Sequence, residues 1–133
     1  MSRKLALPLQ PRLKIWFESD GEYAFGFGLC EMLQAVQDQG SIKVAAESIG
    51  KSYRHVWGRI KAAEAILERP LVQTRVGGRS DHRSELTAEA TRLLEGFMSL
   101  RQTMKEVLER EFAQRFGALK AQFPSRPPRA PES

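Results

Sequence analysis

The chain has 133 residues, 41% of them hydrophobic and 28% charged, which suits one domain of ordinary size with its own core. Lysine and arginine outnumber aspartate and glutamate by 21 to 16, for a net charge of +5. That balance favours a polyanionic partner, because each phosphate neutralised releases condensed counterions. A single cysteine, Cys30, excludes an intrachain disulfide and a cysteine-based zinc site, and with only two histidines no metal site or cofactor is expected.

The opening MSRKLALPLQPRLK has an apolar run too short and too interrupted by proline for a signal peptide. No stretch approaches the roughly 20 apolar residues that span a bilayer, so no membrane association is expected and the setting is a reducing cytoplasm. Residues 1–12 read as a flexible basic arm. Leu13 to Glu18 is rich in strand formers, Asp20-Gly21 is a hairpin signal, and Tyr23-Ala24-Phe25 returns, so a small hairpin opens the domain.

Leu29, Met32, Leu33 and Val36 recur at helical spacing and predict a first helix over about 28–39, with Gly40 as its left-handed cap. Ser41 caps a second helix with Ile42, Ala45, Ala46 and Ile49 on one face, and Gly50 ends it. Ser52 caps a third, with apolar Val56, Ile60, Ala63 and Leu67, before Pro70. Leu71 to Arg75 reads as a strand, 76–83 as a polar loop and Ser84 to Leu86 as its return. Thr87 caps a long fourth helix, with Glu89 suiting its positive end; its apolar pattern fades from Gly117, and residues 118–133 form a proline-rich tail read as disordered. The fold class is therefore mainly α with small β elements. It is a winged helix-turn-helix over 13–86 with an N-terminal β-hairpin, followed by a long dimerisation helix over 87–117.

Two short helices joined at Gly50-Lys51 fit the turn that sets a recognition helix into the major groove, and Ala45-Ala46 allow the pair to cross closely. At about 100° per residue, Arg54, Gly58, Lys61 and Ala65 lie opposite the apolar face of the third helix. No acidic residue is expected to interrupt that outer face before Glu68. Arg54, in the first turn, is placed to read base edges. Tyr53 suits a phosphate or a thymine methyl, His55 solvent or a phosphate, and Lys61 a phosphate. Trp57 either meets DNA or covers the core. Gly58 costs roughly 1 kcal/mol relative to alanine, to be explained by close approach of a phosphate strand or by helix packing. Arg75, Arg79 and Arg83 flank or punctuate the Gly77-Gly78 loop, the composition of a wing reaching a phosphate strand or the minor groove.

Residues 40–79, with Gly-Ser-Ile, Ala-Ala, Ser-Tyr-x-x-x-Trp, Arg-Pro-Leu-Val and Gly-Gly-Arg in order, and the Leu86-Thr87 that follows, resemble the N-terminal DNA-binding domain of ModE-type molybdate-responsive transcription regulators. They are also related to the LysR-type helix-turn-helix. The Leu13-Lys-Ile-Trp and Phe25-Gly-Phe-Gly-Leu29 segments match ModE, whereas LysR proteins lack that hairpin. The resemblance implies a double-stranded DNA partner, with Ser52, Tyr53, Arg54, Trp57 and Lys61 on the recognition helix and Arg79 in the wing. It also implies a homodimer and repression of molybdate uptake. The wing departs from the family, reading Ser80-Asp81-His82-Arg83 where glycines usually continue. The family's oxyanion-binding domains find no counterpart in this sequence, so no residue is assigned to a molybdate pocket.

A fourth helix of about 28 residues would be ~40 Å long, more than a small core covers. Its stripe of Leu93, Phe97, Leu100, Met104, Val107 and Leu108 is expected to pair with a second subunit, the other option being a helix folded back as a lid. Three functions follow: a DNA-binding repressor; an interaction protein without DNA affinity that heterodimerises with a full-length regulator; or an enzyme. The last is set aside, since no paired carboxylates, Ser-His or Cys-His arrangement or phosphate-binding loop stands out.

Overall fold

A computed structural model describes residues 9–76 and 82–120. In chain order the elements are β1 (Trp16–Ser19), β2 (Glu22–Gly26), α1 (Phe27–Gln39), α2 (Ile42–Ser48), α3 (Tyr53–Leu67), β3 (Val72–Val76), β4 (His82–Leu86) and α4 (Ala88–Lys120). The strands form two separate antiparallel hairpins, β1-β2 and β3-β4. The expected fold class is found, a winged helix-turn-helix preceded by a small hairpin.

The turn of the first hairpin is made by Asp20 and Gly21, both at positive φ (52° and 79°). That is the two-residue geometry whose twist matches the flanking strands. The register slips between Phe17 and Glu18: Phe17 faces Phe25, but Glu18 faces Tyr23. Ala24 is the extra residue, and this bulge interrupts the alternation of faces. Ala24 and Phe25 are accordingly both buried, although adjacent in one strand.

Short-range caps set the helices. Gly40, at φ 79°, closes α1 with its N–H on the Val36 carbonyl. The Ser41 hydroxyl accepts from the Val44 N–H at 2.9 Å, and the Ser52 hydroxyl from the His55 N–H at 3.0 Å, each satisfying a donor that the first helical turn leaves free. Thr87 is buried and acts twice. Its Oγ1 accepts from the Ala90 N–H at 3.2 Å and donates to the Pro70 carbonyl at 2.8 Å, while its own N–H bonds the Leu71 carbonyl at 2.9 Å. The start of α4 is thereby fastened to the base of the second hairpin.

One compact unit spans Ile15–Arg101; the other comprises the flanking segments, described here over 9–14 and 102–120. In the first unit Phe25, Leu29, Leu33, Val36, Val56, Ile60 and Leu71 form the centre of the core. Phe97 completes it, edge-on to Phe17 at 5.1 Å and to Phe25 at 5.6 Å between ring centroids. This corrects the sequence reading, which put Phe97 in the pairing stripe: at 1% exposure it is already used by its own domain. Leu93 packs part-buried against the same core. Leu100 and Met104 are exposed, and Val107 and Leu108 part-buried. The helix runs to Lys120, past the fading point at Gly117, since one glycine weakens a helix by only about 1 kcal/mol.

Phe97→Ala is expected to destabilise the chain by about 3–5 kcal/mol through the cavity it leaves. Urea unfolding should show this as a lower midpoint with an unchanged slope.

Candidate nucleic-acid interface

The tight turn between α2 and α3 rests on two conditions. Ala45 and Ala46 are fully buried between the helices, and Gly50 takes a positive φ of 71°, a conformation that glycine adopts without steric cost. The Lys51 N–H returns to the Ala46 carbonyl at 2.9 Å, closing the end of α2 just before Ser52 starts α3.

Val56, Ile60 and Ala63 are buried on α3, and that fixes what the helix shows to solvent. Ser52, Tyr53, Arg54, His55, Trp57, Gly58 and Lys61 are all exposed. Tyr53 is 50% exposed and Trp57 44%, so Trp57 does not serve as a cover for the core. A Cβ built on Gly58 meets nothing within 4 Å. Packing among the described residues therefore does not account for that glycine.

The flanks of α3 differ. Toward the second hairpin, the Lys61 ammonium stands 5.8 Å from the Trp57 ring centroid and 3.1 Å from Glu64 Oε1. Glu64 Oε2 in turn accepts from the backbone N–H groups of Leu71 at 2.8 Å and Val72 at 3.2 Å. Partial burial pushes the Glu64 carboxyl up, but these hydrogen bonds and the Lys61 charge outweigh it and hold it below its ordinary value. The sequence reading passed over Glu64: an acidic group stands beside Lys61, well before Glu68. Toward the first hairpin, the Arg59 guanidinium lies 5.4 Å from the Tyr23 ring centroid. That pair was also missed, as no local pattern joins the two residues.

Of the wing arginines, Arg75 is exposed and reaches Glu85 at 3.4 Å, which also accepts from Gln73. The Arg83 guanidinium lies against Gly40, where an added Cβ would stand 2.7 Å from its central carbon. It thus sits at the C-terminal end of α1, where a cation suits the helix dipole, while the Ser84 N–H bonds the Gly40 carbonyl at 2.9 Å. Arg79 lies outside the described residues. Among the described residues, no three His, Cys, Asp or Glu side chains come together as a metal site, and no helix is long and apolar enough to cross a membrane.

Residues 27–91 match the family of bacterial regulatory helix-turn-helix proteins of the LysR type. This segment is a LysR-type helix-turn-helix domain. The LysR-type segment begins at α1, leaving the β1-β2 hairpin outside it. Three relatives reach further into the family suggested by the sequence. The transcriptional regulator ModE of Haemophilus influenzae is 34% identical over 74 residues, covering 56% of this chain and 29% of its own length. The molybdenum-pterin-binding protein MopA of Rhodobacter capsulatus is 30% identical over 77 residues, 58% of this chain and 29% of its own. The molybdenum transport protein ModE of Herbaspirillum seropedicae is 31% identical over 80 residues, 60% and 30% respectively. The chain thus spans less than a third of the length of these relatives. In fold it is similar to the CbnR DNA-binding domain in its DNA complex, with a TM-score of 0.52 at 24% identity, covering 68% of this chain and 98% of that one. Full-length CbnR with its target DNA gives 0.51 at 25% identity, covering 67% and 29%.

Cys30 is buried in α1. Burial pushes its thiol up to about 12, against the opposing charge of Arg101 and with a further rise from Glu31. Since the thiolate is the nucleophile, the native protein is expected to resist a disulfide reagent at pH 8 and to react fully once unfolded, as thiol titration with and without denaturant will show.

Proposed function

We propose that the chain is a sequence-specific, double-stranded DNA-binding transcription regulator of the ModE type, acting as a homodimer. The observation that carries this reading is the exposed face of α3. A capped N-terminus presents Tyr53 and Arg54 to solvent, an unfilled space lies over Gly58, and Glu64 bonds the helix to the start of β3. In this reading the first turn of α3 enters the major groove, where Arg54 can donate two hydrogen bonds to a guanine edge. Ser52, Tyr53 and His55 sit where a phosphate strand passes the helix start. The open space at Gly58 admits that strand without a Cβ in its way.

Arg75, Arg79 and Arg83 supply charge toward the flanking phosphates, which position the protein without reading sequence, and Lys61 adds a smaller share. The pairing surface is the α4 stripe of Leu100, Met104, Val107 and Leu108, with Leu93 at its edge. A twofold dimer would set two copies of α3 on half-sites about one helical turn of DNA apart. The names of the relatives, one a transcriptional regulator and two carrying molybdenum, support regulation of molybdate-related genes, with repression as the direction that the family resemblance implies. No residue of this chain is assigned to molybdate itself.

Selection of bound sequences from random duplex, with and without molybdate, tests the whole reading: enrichment of a two-half-site sequence supports it. Failure to bind any duplex, together with capture of a full-length regulator as a heterodimer, would replace it with the interaction-protein reading. Arg54→Ala is expected to cost about 1–3 kcal/mol on the selected site and to relax preference at one or two positions. Equal losses on selected and random duplex would remove its base-reading role. Sedimentation at micromolar concentration should give a dimer, and Met104→Glu should shift it to monomer.

A further inference from the structure

Glu64 occupies an unusual place between the two parts of the interface. It lies on α3 three residues after Lys61, yet its side chain is only 13% exposed, against 45% for Lys61. Its two oxygens have separate partners. Oε2 takes the N–H groups of Leu71 and Val72, the buried residue before β3 and the first residue of that strand. Oε1 takes the Lys61 ammonium, which also lies over the Trp57 ring. One carboxylate thus ties the base of the wing to the recognition helix and holds a cation of that helix beside it.

We propose that Glu64 is a positioning residue for DNA recognition, a role that rests on the DNA-binding reading above. Through Oε2 it sets the wing against α3, and through Oε1 it holds Lys61 back from the phosphates. Lys61 then adds less than one full ionic contact to binding, and the non-specific, purely electrostatic part of the affinity stays low relative to the part read from bases. A phosphate approaching Lys61 must compete with a carboxylate already in contact, whereas Arg54 has no such competitor among the contacts described.

Glutamine at this position separates the two roles, since its amide oxygen still accepts from Leu71 and Val72 while the anion that holds Lys61 is gone. The full-length chain is compared as wild type, Lys61→Ala, Glu64→Gln and the double variant, on the selected site and on random duplex, across about 50–200 mM salt. Glu64→Gln is expected to bind random duplex several-fold more tightly, with a log-log salt slope steeper by up to about 0.9, the value of one full phosphate contact. The same variant should lower the ratio of specific to random affinity. Lys61→Ala should abolish that gain in the Glu64→Gln background and weaken random binding by a smaller factor in the wild type than in that background. Additive effects of the two substitutions, or an unchanged slope for Glu64→Gln, would overturn the proposal while leaving the DNA reading in place.

Amide hydrogen exchange provides a readout that needs no DNA. Leu71 and Val72 should exchange faster in Glu64→Ala and at the wild-type rate in Glu64→Gln; equal exchange in all three proteins would remove the tether. If the wild-type chain binds no duplex at all, the DNA reading falls and the proposed role of Lys61 falls with it.

Discussion

Burial of Val56, Ile60 and Ala63 fixes the rotation of α3 about its own axis, and the arrangement of the whole surface follows from that. Each large aliphatic side chain taken from water in this way contributes about 1.5–3 kcal/mol. A helix turned by one residue, about 100°, would lose that gain and expose the stripe. With the inner face committed to the core, the outer face has no freedom either: Arg54, Gly58 and Lys61 must look outward. The specificity proposed for this chain is in this sense a by-product of its packing.

Two polar fastenings then hold the second hairpin to this frame. Glu64 binds the N–H groups of Leu71 and Val72 from the helix side. Thr87 binds the carbonyls of Pro70 and Leu71 from the other, and caps α4 with the same hydroxyl. Both groups are largely withdrawn from water, where a hydrogen bond is stronger and an unmade one costly. The short stretch between α3 and β3 is therefore bonded on both its donors and its acceptors, and the angle between helix and hairpin is set there.

Much of this was legible in the sequence because its signals act over three or four residues. Ser41, Ser52 and Thr87 cap the helices they precede, Gly40 ends α1, and Asp20-Gly21 turns the first hairpin. The exposure of Arg54 and Lys61 follows from helical periodicity alone, whereas periodicity left Trp57 open between DNA and the core. What escaped depends on contacts between distant positions. The bulge at Ala24 is decided by how β2 packs, not by its composition. Periodicity marks Phe97 as apolar but cannot say which surface covers it, and Phe17 and Phe25, far away in the chain, prove to be its neighbours. Arg59 over Tyr23 and Arg83 over Gly40 are long-range pairs of the same kind. Glu64 was overlooked as a tether because its backbone partners lie seven and eight residues on, beyond the end of its helix. The action of the exposed residues on DNA belongs to the proposal and was not there to be read from geometry.

The double fastening at the foot of the second hairpin bears on how such a protein can change over evolutionary time. Because Thr87 joins the segment leaving α3 to the start of α4, the intervening excursion of β3 and β4 is closed at its base whatever lies at its tip. The entropy of closing a flexible loop grows only slowly with length, by about 0.6 kcal/mol for each doubling. A connection closed at its base in this way can change in length or charge beyond the paired strands at little cost to the core. In the proposed reading, new sequence preferences can then arise outside α3 while that helix stays where its packing has put it.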